Sequence, residues 1–160
     1  MTAVVYFATA YSCHRTSTYG LGPTESDFWF LIAIALVMLG LAELMDLPAM
    51  VGDLLRSTAR KDGWYGHREF YQVRLIYLAG GTITAIVLAL LFGARKTSSP
   101  CELALALTGL VVGYIIVRAI SLHSIDAIMG RFFFGIHFNR IPELTGIGLV
   151  WLLSAWRMIR

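Results

Sequence analysis

Charge is what this sequence has least of. Asp, Glu, Lys and Arg supply 14% of its 160 residues, against about a quarter in a soluble globular domain. With 58% hydrophobic residues and a mean hydropathy of +0.70, this excludes a water-soluble domain. Cysteine is nearly absent as well. Two residues, Cys13 and Cys101, cannot build a disulfide framework or a cysteine-rich metal centre, and they read as inert thiols. Walker loops, dinucleotide fingerprints and H-E-x-x-H strings are missing, which removes the nucleotide-binding and zinc-protease classes that depend on them. The net charge of +3 comes from Lys and Arg scattered beside apolar runs. Such residues orient spans and touch headgroups, so no nucleic-acid partner is implied. Met1 to Asp27 has no basic segment followed by an apolar core and a small-residue cleavage site, so it does not read as a signal peptide.

What the chain does have is four long apolar stretches, Phe28 to Leu47, Val73 to Gly93, Leu103 to Leu122 and Leu144 to Ile159. At about 1.5 Å of rise per residue, roughly 20 apolar residues cross the hydrocarbon layer. The expected fold is therefore all-α, an integral membrane four-helix bundle with spans near 28–47, 73–93, 103–122 and 142–159. Residues 1–26 form an N-terminal tail outside the 27–160 bundle, because Val4 to Ala10 is too short to span. Ser26 and Asp27 offer an N-cap for the first span, and Pro48 closes it. Beyond Pro48, Met50, Val51, Leu54 and Leu55 alternate at helical spacing with Asp53, Arg56 and Arg60. That pattern predicts a short interfacial helix between spans one and two. Gly109 and Gly113 in span three, and Gly80, Gly81 and Ala85 in span two, predict close helix contacts.

Antiparallel spans bring the polar residues to one end of the bundle. They are Glu43 and Asp46; Trp64, Tyr65, His67, Arg68 and Gln72; Arg118, Ser121, His123 and Asp126; and Asn139 and Glu143. The opposite end is expected to be plain. Glu43 sits at a helix C-terminus, where the macrodipole disfavours a carboxylate, so it calls for a cationic partner. Arg118 follows fifteen apolar or small residues and must pair or snorkel. The two are expected to share one polar cluster. Glu143, just after Pro142 in the first turn of span four, reads first as a dipole-favoured capping residue. Basic residues flanking this end slightly outnumber those at the other, which favours the cytoplasm for it.

The string Ser121-x-His123-x-x-Asp126 suggests a hydrolase triad, but helical geometry opposes it. At about 100° per residue Ser121 and His123 point to nearly opposite sides, whereas His123 and Asp126 are about 60° apart and can meet. His123 with Asp126 reads as an oriented imidazole that could bind a metal, a pigment centre or a quinone carbonyl. Adding Glu43 and Glu143 would supply enough ligands for a divalent metal. Bis-histidine haem is disfavoured, because His67 lies in a Gly-rich loop and the spans offer no second interior histidine.

The order Glu43, Trp64-Tyr65-x-x-Arg68-x-x-x-Gln72, Arg118-x-x-Ser121-x-His123-x-x-Asp126, Asn139 and Glu143 resembles a group of small uncharacterised bacterial four-span membrane proteins. The likeness runs from span one onward and implies a shared topology with these positions clustered, without an activity. Two function classes follow from the residues. One is an accessory or assembly subunit of a larger bacterial membrane complex, multi-pass in the inner membrane, with lipids and other membrane subunits as partners. The other is an interfacial enzyme or cofactor site for a lipid, quinone or metal. In that class His123, Asp126 and Glu43 are the catalytic candidates, and Arg68, Arg118, Trp64, Tyr65, Gln72 and Glu143 are the binding residues.

Overall fold

Six helices carry almost all of the described residues: α1 Thr2–Ser17, α2 Pro23–Leu44, α3 Leu47–Lys61, α4 Arg68–Ala94, α5 Ser99–Ile120 and α6 Ile141–Ile159. The structure, a computed structural model, describes residues 2–19, 22–61, 68–95, 97–120, 132–133, 136–137 and 140–159. The protein is all-α apart from a two-residue antiparallel ladder, β1 Phe132–Phe133 on β2 Ile136–His137. Three helices, over Pro23–Leu44, Val73–Ala94 and Ser99–Ala119, are long and apolar enough to cross a membrane. The fourth expected span is α6, a 19-residue helix, and it is not among these three.

Helices α1, α2, α5 and α6 close a ring, each packing on the next, α1 on α2, α2 on α5, α5 on α6 and α6 on α1. Buried positions recur at steps of three and four along each of them. They are Tyr6, Thr9, Cys13 and Thr16 in α1; Trp29, Ile32, Leu36 and Gly40 in α2; and Glu143, Ile147, Val150 and Ser154 in α6. This is the spacing of knobs-into-holes packing. The segment expected to be a tail is thus a ring helix. Its first turn meets Glu43, where Thr2 Oγ1 donates to Oε1 at 3.1 Å. At its far end, the Ser17 carbonyl accepts a bond from Ser26 Oγ at 2.6 Å. It was illegible as a ring helix because its buried side is made of hydroxyls and small groups, which an apolar scan does not register.

Helix α4 takes the position outside the ring that α1 was expected to have. It is the most apolar of the three candidate spans, yet none of its apolar window is buried, and it rests chiefly on α5. The seam is made by glycine. A β-carbon on Gly109 would collide with Val87, and one on Gly113 would lie 3.7 Å from Ile83. Gly80 and Gly81 face open space instead, so the contact expected of them is not made among the described residues.

Two boundaries differ from expectation. Helix α2 starts at Pro23, so its N-cap is Gly22, which has no side chain to cap with, and Ser26 lies inside the first turn with its hydroxyl on the Ser17 carbonyl. The helix also ends at Leu44, before Pro48, and Asp46 makes the turn with φ of 50°. Its carbonyl accepts from the amides of Ala49 and Met50 at 3.0 and 3.1 Å, which starts α3 in a new direction. Asp is among the few residues that tolerate this left-handed conformation. On α3, Leu47, Met50, Val51 and Leu54 form one exposed apolar stripe, and Gly52 is buried on another side.

Candidate functional site

The cluster at the polar end is assembled from the ends of four helices. Glu143 stands in the first turn of α6 with only 1% of its surface exposed. Arg118, in the last turn of α5, donates from Nη1 to Glu143 Oε2 at 2.8 Å, while Tyr6 of α1 donates to Oε1 at 2.7 Å. The Arg118 Nη2 also lies 3.7 Å from Glu43 Oε2 at the end of α2. Arg140, immediately before α6, pairs with Glu43 Oε1 and donates to Thr2 Oγ1 at 2.7 Å.

Glu43 and Arg118 therefore share one polar cluster, although each has a nearer partner. Arg118 binds Glu143 most closely, and Glu43 is taken by Arg140. The capping role expected of Glu143 gives way to that of a fully buried anion held by a tyrosine and a guanidinium. Burying it would be prohibitive without that compensation. Two carboxylates face two guanidiniums, so the cluster is neutral. Sequence reasoning missed Tyr6 and Thr2, both in the supposed tail, and counted Arg140 only as a flanking charge. A polar recurrence at Thr2, Tyr6, Thr9, Cys13 and Thr16, in steps of four and three, was the available signal.

A second cluster lies at the end expected to be plain. Arg157 of α6 binds Glu25 of α2 with two bonds, Nε to Oε1 at 2.9 Å and Nη2 to Oε2 at 3.3 Å. Ser98, before α5, donates to Glu25 Oε1, and the Trp29 indole reaches the same oxygen at 3.5 Å. Between the two clusters α1 and α6 are joined by hydroxyls. Ser154 Oγ donates to the Trp151 carbonyl at 2.8 Å and lies 2.7 Å from Ser12 Oγ, while Thr16 Oγ1 donates to the Ser154 carbonyl at 3.3 Å. The ring is thus fastened by ion pairs at both ends and by hydrogen bonds in its middle.

Several residues singled out in the sequence, Trp64, Tyr65, His67, Ser121, His123, Asp126 and Asn139, lie outside the described residues. Arg68 and Gln72 fall in the first turns of α4. Among the described residues no group of three His, Cys, Asp or Glu side chains is placed to hold a metal ion, and both Glu43 and Glu143 are engaged by arginines. Cys13 and Cys101 are buried free thiols. No protein-family model matches the chain, and no curated protein or solved structure proves similar to it.

Proposed function

We propose that this protein is a multi-pass membrane subunit without catalytic activity, an accessory or assembly component of a larger complex in a bacterial inner membrane. The observation that carries this reading is the closure of the polar cluster. Glu43, Glu143, Arg118 and Arg140 neutralise one another, and the carboxylates take further bonds from Tyr6 and Thr2. Groups spent on each other pin helices and do not turn over a substrate. Helix α4 supports the same reading, because among the described residues it presents an exposed apolar surface, with Gly80 and Gly81 unopposed, to lipid or to a neighbouring subunit. The resemblance to small bacterial four-span proteins begins at α2, so it bears on α2, α4, α5 and α6 and leaves α1 outside it.

In this arrangement α2, α4, α5 and α6 cross the bilayer, α1 crosses beside α2, and α3 lies in the interface with its Leu47, Met50, Val51 and Leu54 stripe toward the acyl chains. Gentle extraction from the native membrane followed by native electrophoresis tests the proposal. The 17.7 kDa chain should migrate within a heavier assembly that contains other polypeptides. Migration as a lone particle would overturn the subunit reading. Replacement of His123 by Ala should leave that assembly and its activity intact. Loss of an activity with assembly, fold and abundance preserved would move the protein to the enzyme class.

A further inference from the structure

Helices α2, α4 and α5 enclose a slot of about 190 Å³. Its walls are Leu31 and Ala35 of α2 and Ile86 and Leu90 of α4, and its floor runs from Leu105 to Val112 of α5. Thr108 brings the one side-chain hydroxyl of the lining, and it is already spent on the Ala104 carbonyl at 2.8 Å. The slot therefore offers a ligand no free side-chain hydrogen-bond donor. Toward one end Phe28 approaches Gly93, with its Cζ 3.4 Å from where a β-carbon would stand.

The surroundings decide what can occupy it. The three lining helices are the three long and apolar enough to cross a membrane, so at this depth the open side meets hydrocarbon and not water. Apolar cavities stay dry, and one of about 150 Å³ suffices for a benzene ring. This slot is larger, but far too narrow for a helix about 10 Å across. Its long dimension follows the helix axes for about 10 Å, seven residues of rise along α4 and α5. Lipid chains in a bilayer run in that direction. We propose that the slot is a binding site for one acyl chain of a bilayer phospholipid, which enters between α2 and α4 and lies on α5. The inference rests on the reading of α2, α4 and α5 as membrane spans.

A phosphatidylcholine carrying a photoactivatable diazirine near its chain terminus, in vesicles holding the full-length protein, tests the site. After irradiation, adducts are mapped by mass spectrometry. The floor residues Leu105 to Val112 should be labelled beside the exposed Leu78 and Leu88 of α4. Filling the slot by Ala35→Phe or Val112→Phe should reduce floor labelling at least fivefold, while Leu88→Phe on the outer side of α4 leaves it unchanged. Adducts on Leu78 and Leu88 with none on the floor of the unmodified protein would overturn the site and leave the membrane reading standing, and this arm needs no variant to fold. Adducts on none of the three helices would overturn the membrane reading itself. Floor labelling that survives both filling variants, or that falls equally in Leu88→Phe, would also overturn the site.

Discussion

Helices α1 and α4 exchange the places that their compositions suggest. Helix α4 is the most apolar of the three candidate spans, yet no residue of its apolar window is fully buried. Helix α1 mixes Thr, Ser, Cys, His and Arg with its apolar residues, yet it buries Tyr6, Thr9, Cys13 and Thr16 against α2 and α6. On the proposed reading of the chain as a membrane subunit, the contrast follows from the solvent. Between helices in hydrocarbon there is no hydrophobic gain, because lipid tails are as apolar as Leu. A wholly apolar helix is therefore content at the periphery, and a helix with hydroxyls must place them against partners. The same contrast separates the seams: glycine lets α4 approach α5, whereas ion pairs and hydroxyls hold α1.

The largest effect that could break the comparison is all-or-none. If α1 traverses with the ring, cysteines at the exposed positions Val4 and Tyr19 (Val4→Cys and Tyr19→Cys), in a background lacking Cys13 and Cys101, should react with membrane-impermeant maleimide from opposite sides of sealed vesicles. Labelling of both from one side would return α1 to the status of a surface tail. Next in size is the buried ion cluster. Arg118→Met leaves Glu143 without its cation and should cost about 3–5 kcal/mol, read as thermal stability in detergent. Joining it to Glu143→Leu should recover much of the loss, because the uncompensated charge is then gone. An additive loss in the double variant would mean that the pair does not act as a unit.

The α4 seam should respond less. Gly109→Leu overpacks the contact with Val87 and should cost about 1–3 kcal/mol, whereas Gly81→Leu, with open space before it, should stay within about 0.5 kcal/mol in the isolated protein. Equal losses would show that α4 is covered on both sides. If Gly81→Leu left the isolated protein intact but released it from a larger assembly, α4 would be sharpened into the partner-binding helix. A small effect is expected at the hydroxyl seam, where Ser154→Ala should cost about 0.6 kcal/mol. Leu88→Ala on the outer face of α4 should cost less still.

Part of the polar site was legible beforehand, because intramembrane charges have so few ways to be tolerated. Glu43 and Arg118 stood inside apolar runs at ends that antiparallel packing brings together, and a carboxylate at a helix C-terminus required a cation. Glu143 was visible but ambiguous, since a first-turn carboxylate is favoured by the dipole whether or not anything binds it. Tyr6 and Thr2 could not be placed while their helix was taken for a tail. Arg140 gave no sign of reaching inward, because a flanking arginine looks the same whether it meets a headgroup or a glutamate. Glu25 and Arg157 were overlooked because each lies near the end of its helix, where a charge needs no explanation.

By itself the sequence determined that the chain is helical and that it carries apolar runs suited to a membrane, with rough bounds for each; it counted four such runs, of which three helices have the length and composition to cross. Those properties are set by runs of consecutive residues and by the rise of a helix, and both are local. Only the tertiary structure decided which helices share a core. It put α1 into the ring and α4 outside, chose Glu143 and Arg140 as the nearest partners of Arg118 and Glu43, and built a second ion pair at the other end. Ion pairs and hydrogen bonds between residues as far apart as Tyr6 and Glu143 carry no periodic signature in the chain. They depend on which side of each helix turns inward, and among helices in an apolar medium polar groups decide that.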